Sequence, residues 1–122
     1  MIKKSVLTIK SFRFAVRIVN LYRYLCDIKK EYVLSKQVLR SGTSVGAMVR
    51  ESEHSESKAD FVHKLAIAQK ESNETLYWLE LMHETKYIST KEYNSINADA
   101  VEIIKMITAS IKTAKRNSRN SG

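Results

Sequence analysis

Residues 57–82 read SKADFVHKLAIAQKESNETLYWLELM, and the spacing inside this stretch decides the fold. Phe61, Leu65, Ala68, Ser72, Thr75, Leu79 and Met82 recur at steps of four and three, which keeps them on one face of an α-helix. Leu76, Trp78 and Leu81 flank that stripe. Ser57 stands ahead of it, with Asp60 three residues on. The serine oxygen can accept a free amide hydrogen of the first turn, and the acid suits the positive end of the helix dipole. A helix is predicted over 57–87.

The same periodicity extends in both directions. Upstream, Leu7, Ser11, Phe14, Ile18, Leu21, Leu25 and Ile28 keep the 4-3 spacing, which predicts a first helix over 6–31. Phe12, Ala15, Val19, Tyr22 and Cys26 form a second apolar set beside it, leaving only Arg13, Arg17, Asn20, Tyr24 and Asp27 as a polar line. A helix apolar over most of its circumference is covered on more than one side, so the second side is expected to meet another subunit. Val38, Gly42, Val45 and Val49 mark a helix over 35–54. Tyr93, Ile96, Ala100, Ile103, Ile107, Ser110 and Ala114 mark another over 90–116, with a frayed polar tail at 117–122. Four helices joined by short connections lie antiparallel to their neighbours. The predicted fold is therefore all-α, a single up-and-down four-helix bundle.

Composition excludes the main alternatives. The 122 residues include no proline and three glycines, too few turn formers for a barrel or sandwich. Hydrophobic residues at 43% and charged residues at 28% describe a globular chain. Cys26 is the only cysteine, which excludes an internal disulfide framework and fits a reducing compartment. The first ten residues have lysines, but Ser5, Thr8 and Lys10 interrupt the apolar run a signal peptide needs. No apolar stretch approaches the roughly 20 residues of a membrane span. A cytoplasmic location with no membrane contact is expected.

Charge is distributed unevenly. The net charge is +8. Residues 1–50 carry eleven Lys/Arg against Asp27 and Glu31, a balance of +9; residues 51–100 stand at −5 and residues 101–122 at +4. Basic ends around an acidic middle fit contact with a polyanion, or head-to-tail complementarity between segments or subunits. On adjacent first and fourth helices, Arg13, Arg17, Arg23, Lys112, Lys115 and Arg116 could merge into one phosphate-binding surface, joined by Lys3, Lys4, Lys10 and Arg119. The plainer alternative is that the charge only maintains solubility.

Residues with catalytic potential are sparse. There is no phosphate-cradling glycine loop, nucleophile elbow or Cys-x-x-Cys pair, and no catalytic residue or cofactor is assigned. Cys26 is expected to be a buried, inert thiol. Glu80 and His83 have the Glu-x-x-His spacing of di-iron bundles, but that chemistry needs a second pair and further inward carboxylates, so no metal site is assigned. Trp78 and the tyrosines fall at helical spacing near apolar stripes, where core or interface packing outweighs a base-stacking role. The run Ser41-Gly42-Thr43-Ser44-Val45-Gly46-Ala47 costs helix propensity, about 1 kcal/mol for each glycine against alanine. Close approach of another backbone is the expected compensation, which makes Gly42, Ser44 and Gly46 packing residues. Arg40 is expected either to pair with Glu74 across the bundle or to bind phosphate.

Gln37-Val38-Leu39-Arg40-Ser41-Gly42-Thr43-Ser44-Val45-Gly46-Ala47-Met48-Val49-Arg50-Glu51 resembles the signature of the four-helix-bundle proteins named after 23S rRNA intervening sequences. The continuation through Ser57-Lys58, Asp60-Phe61, Leu65, Ile67-Ala68, Glu74 and Leu79 fits as well, so the resemblance covers nearly the whole chain. The commonest family form has proline at the position of Gly46, asparagine at that of Met48 and glycine at that of Ser52. The resemblance implies a homo-oligomer, typically a pentameric ring. It also implies kinship with accessory proteins that bind a reverse transcriptase and nucleic acid through a basic surface. No catalytic residues come with it. The resulting expectation is a non-enzymatic scaffold or accessory protein binding RNA or DNA. The alternative is a protein-interaction module that recruits an acidic partner and has no nucleic-acid role.

Overall fold

The computed structural model describes residues 5–120, with side chains described through Asn117. Four helices follow one another: α1 (Val6–Asp27), α2 (Leu34–Ser52), α3 (Lys58–Glu84) and α4 (Thr90–Asn120). Contacts join α1 to α2, α2 to α3, α3 to α4 and α4 back to α1, the last being the sparsest. Each helix touches its two sequential or closing neighbours, which is the up-and-down bundle that the short connections require.

The apolar stripes meet at the bundle axis. Leu7, Phe14, Ile18, Leu21 and Leu25 of α1 are buried with Val38, Val45 and Val49 of α2. Leu65, Ala68, Leu79 and Met82 of α3, and Ile96, Ala100, Ile103 and Ile107 of α4, complete the core. Polar residues on these stripes find partners within the chain. The buried Thr75 hydroxyl donates to Ser41 Oγ across the α2–α3 interface at 2.9 Å, and Ser72 donates back to the Ala68 carbonyl at 2.8 Å. Among the described residues no buried side-chain nitrogen or oxygen lacks a hydrogen bond, as a packed core requires.

The two helical glycines set how closely α1 and α2 approach. A Cβ on Gly42 would stand 2.7 Å from the fully buried Ile18 side chain, and one on Gly46 would stand 3.1 Å from the Ser11 carbonyl oxygen. Close packing thus offsets the propensity cost that the sequence carries at these positions. Ser44 is half-buried and its hydroxyl donates to the Arg40 carbonyl of its own helix at 2.6 Å; the serine that hydrogen-bonds across to a neighbouring helix is Ser41.

Helix ends depart from the predicted boundaries for local reasons. Ser5, Ser57 and Ser89 each place a hydroxyl on an amide three residues later, starting α1, α3 and α4. The first helix stops at Asp27, short of the predicted residue 31. Lys30 turns left-handed with φ 54°, and the Glu31 amide returns to the Leu25 carbonyl at 2.9 Å. Ile28, predicted on the buried stripe, is consequently exposed. At the end of α3, Lys86 takes φ 67°, and the Tyr87 amide reaches back to the Met82 carbonyl, closing the helix at Glu84 before the predicted residue 87. The last helix runs on to Asn120, beyond the predicted 116. No glycine or proline interrupts it there, and its basic residues suit the negative end of the helix dipole. Residues 121–122 lie outside the described residues.

Glu31 organises the α1–α2 connection. Its buried carboxylate accepts the amides of Val33 (3.0 Å), Leu34 (2.8 Å) and Ser35 (2.7 Å), while the Ser35 hydroxyl donates to the Glu31 carbonyl at 2.9 Å. The N-cap residue Val33 has no side chain able to cap, so Glu31 satisfies the first turn of α2 in its place. Burial pushes this carboxyl upward, but the hydrogen bonds from Leu34, Ser35 and Val33 outweigh it and hold the group below the ordinary carboxylate value.

Two outcomes follow from this packing. Gly42→Ala is expected to lower stability by about 1–3 kcal/mol in chemical denaturation, because the added methyl would overlap the fully buried Ile18 side chain. Glu31→Gln is expected to cost about 1–3 kcal/mol at neutral pH. Because the folded-state value of Glu31 is lowered, its contribution is complete above the ordinary carboxylate value and is lost as pH falls through the lower folded value. The stability gap between parent and variant should therefore close on acidification, as pH-dependent denaturation would read.

Candidate nucleic-acid interface

The cationic side chains separate into engaged and free groups. Arg17, on the polar line of α1, donates to Asp99 at 2.7 Å and to Glu92 at 3.1 Å, both on α4. Lys10 pairs with Glu102 one turn farther along the same seam. These pairs join α1 to α4, the most sparsely packed of the four neighbouring helix pairs, beside the apolar contact of Phe14 and Ile103. Arg17, expected on a phosphate surface, instead has its guanidinium taken up by two acids.

The six expected phosphate contacts do not form one surface. Arg13 is exposed beside the Lys10–Glu102 and Arg17–Asp99 pairs. Arg23 lies toward the opposite end of α1 from its N-terminus. Arg17 faces Glu92, and Lys112 stands twenty residues farther along α4, roughly 30 Å at the helical rise. The antiparallel course of α1 and α4 thus sends Arg23 and Lys112 to opposite ends of the bundle. Lys3 and Lys4 lie outside the described residues, as does the side chain of Arg119.

Lys112, Lys115 and Arg116 do come together. They are exposed within little more than one turn of α4 and have no ion-pair partner among the described residues. Lys105 extends the group: it is exposed and lies seven and eleven residues before Lys112 and Arg116, spacings that return to one helix face. Sequence reasoning passed over Lys105, although that spacing was available to find it. No acid occurs after Glu102, so nothing in the sequence of this final segment neutralises the stripe.

Arg40 has a structural assignment. It donates to Glu71 at 2.9 Å and pairs with Glu74, tying α2 to α3, and Glu74 also accepts the Trp78 indole N–H at 3.3 Å. Of its two expected roles, the pairing is the one the geometry displays. Cys26 is half-buried, not fully buried as expected, with Sγ 3.8 Å from the Ser35 hydroxyl.

The remaining polar constellation surrounds His83. Its ring stacks on Tyr93 with centroids 4.5 Å apart, its Nε2 lies 3.0 Å from Thr90 Oγ1, and its Nδ1 lies 3.9 Å from Glu84. A hydroxyl, an imidazole and a carboxylate in series have the outline of a catalytic relay. The Glu84 distance is beyond hydrogen-bond range, however, so that carboxylate does not orient the ring. Glu80 is exposed and away from this contact, and no group of three or more His, Cys, Asp or Glu among the described residues is placed to hold a metal. No helix among the described residues is long and apolar enough to cross a membrane.

These features define a class, the antiparallel four-helix bundle with a basic helix end. Comparison with protein families assigns it more narrowly. The family described as 23S rRNA-intervening sequence protein matches residues 3–109, and the chain belongs to that family. It is similar to a solved structure described as a protein with unknown function from the S23 ribosomal protein family of Bacteroides thetaiotaomicron VPI-5482. Identity is 57%, with 88% of this chain and 99% of that chain covered and a TM-score of 0.87. Comparison with curated proteins finds no match. The family description names no activity, and the similar structure is described as having no known function.

Proposed function

We propose that this chain is a non-enzymatic, homo-oligomeric helical scaffold that binds nucleic-acid phosphates through the C-terminal half of α4. The observation that carries this reading is the exposed stripe of Lys105, Lys112, Lys115 and Arg116, which has no acidic partner among the described residues. Lys10, Arg17 and Arg40, by contrast, all meet carboxylates. Cations held on one face without such partners suit the regular phosphates of a polynucleotide. Assembly of several copies would repeat the stripe and multiply weak phosphate contacts.

Titration of a fluorescent RNA hairpin and a DNA duplex at rising salt tests the proposal. The parent should bind with a steep fall of log affinity against log salt. Lys112→Gln/Lys115→Gln/Arg116→Gln should weaken binding and flatten the duplex slope by about 0.9 for each phosphate contact removed. Arg13→Gln/Arg17→Gln/Arg23→Gln should leave the slope nearly unchanged. No binding by the parent at low salt would overturn the proposal, as would an unaltered slope in the α4 variant. The first result would turn attention to an acidic protein partner.

A further inference from the structure

The α1–α2 connection presents apolar side chains that the fold does not hide. Ile28, Tyr32 and Val33 are 66%, 53% and 72% exposed, and Lys29 and Lys30 beside them are exposed with no ion pair among the described residues. Glu31, the acid of this segment, is buried with its carboxylate engaged by the amides of Val33, Leu34 and Ser35. Those bonds tie the segment to the start of α2, so its apolar side chains are held outward. The result is a fixed apolar knob carrying two free ammonium groups.

A recess of complementary character lies farther along the same two helices. Phe12 and Ala15 of α1 and Gly46 and Ala47 of α2 line a groove of about 710 Å³. Of its cations, Lys64 pairs with Glu51 at 3.4 Å, while Arg50 lies over the Phe12 ring, 5.8 Å from the centroid, and keeps its charge. Glu56 and Asp60 in its lining have no ion pair among the described residues and outnumber Arg50, so the groove is acidic on balance where the knob carries two free ammonium groups.

The knob does not fill this groove in its own chain. Val33 and Ala47 are fourteen residues apart on one straight run of α2, roughly 20 Å at the helical rise. We infer that the occupant is a second copy of this chain: the knob of one protomer, with Lys29 and Lys30, docks into the groove of the next, against Glu56 and Asp60. This rests on the homo-oligomer reading above and specifies its contact. The two patches differ, so the contact is heterologous. Repeated head to tail, it closes into a ring when the rotation between copies permits, and otherwise continues as a filament.

Complementation between two disabled copies tests this. Val33→Asp places an acid on the knob, at an N-cap position where aspartate suits the helix. Ala47→Arg fills the groove from an exposed position. Both should retain parental helicity by circular dichroism. By native mass, the parent should be an assembly, and each variant alone should run at the chain mass of 14.0 kDa. An equimolar mixture should form a one-to-one pair and nothing larger, because only one working knob and one working groove remain. As an independent check, Lys29→Glu/Lys30→Glu and Glu56→Lys/Asp60→Lys should each weaken assembly at least tenfold, and a chain carrying both reversals should recover it. A parent that assembles while the variants assemble equally well, or a mixture that stays monomeric, would overturn this contact alone. A monomeric parent would overturn the homo-oligomer reading as well.

Discussion

The approach of α1 to α2 across Gly42 and Gly46 is the constraint on which the rest of this structure depends. At Gly42 a methyl group would overlap Ile18, a side chain enclosed by the core; at Gly46 it would press on the backbone carbonyl of Ser11. Alanine at these positions would favour α2 in isolation, so the glycines make sense only through the interhelical distance they permit. Seated this closely, α1 turns Phe14, Ile18, Leu21 and Leu25 into the core. Its polar line meets the carboxylates of α4. The side bearing Ile9, Phe12 and Val16 is left exposed, with no helix of the same chain covering it.

Electrostatics divides the molecule along the length of α4. Its N-terminal part supplies Glu92, Asp99 and Glu102, which hold Arg17 and Lys10 on the sparsely packed α1 seam. Beyond Glu102 the helix turns basic and carries no further acid. Exposed ion pairs contribute little individually, roughly 0–1 kcal/mol, so this seam is weaker than the glycine contact on the other side of α1. The same helix thus holds the fold at one end and offers uncompensated positive charge at the other, where the proposed phosphate contacts lie.

Much of the fold was legible because burial follows periodicity. The 4-3 spacing placed Leu65, Ala68, Ser72, Thr75, Leu79 and Met82 on one face, and all are buried. The glycine pair announced close packing by its cost to helix propensity. The Arg40–Glu74 pair was readable as one of two roles for that arginine. What escaped depends on partners brought in by the tertiary fold. Glu31 counted only as a charge until a left-handed turn at Lys30 brought its carboxylate to the α2 amides. Ser41 and Ser44 are equivalent in composition, but only the helix phase relative to Thr75 shows which one crosses. For the candidate site, charge arithmetic found Lys112, Lys115 and Arg116. It grouped them with Arg17 and Arg23 because it carries no information about antiparallel direction or about the acids facing each arginine.

Residue-resolved covalent footprinting in solution measures most directly whether the face that α1 leaves exposed is covered by neighbouring copies. Tyr77 supplies an internal reference: it is exposed on α3 and belongs to neither proposed contact patch. At concentrations where the chain assembles, Phe12, Ile28 and Val33 should be protected while Tyr77 is modified, and dilution should restore their reactivity. Modification of Phe12 and Val33 at every concentration, to the extent their exposure in the isolated chain allows, would contradict the proposed subunit contact.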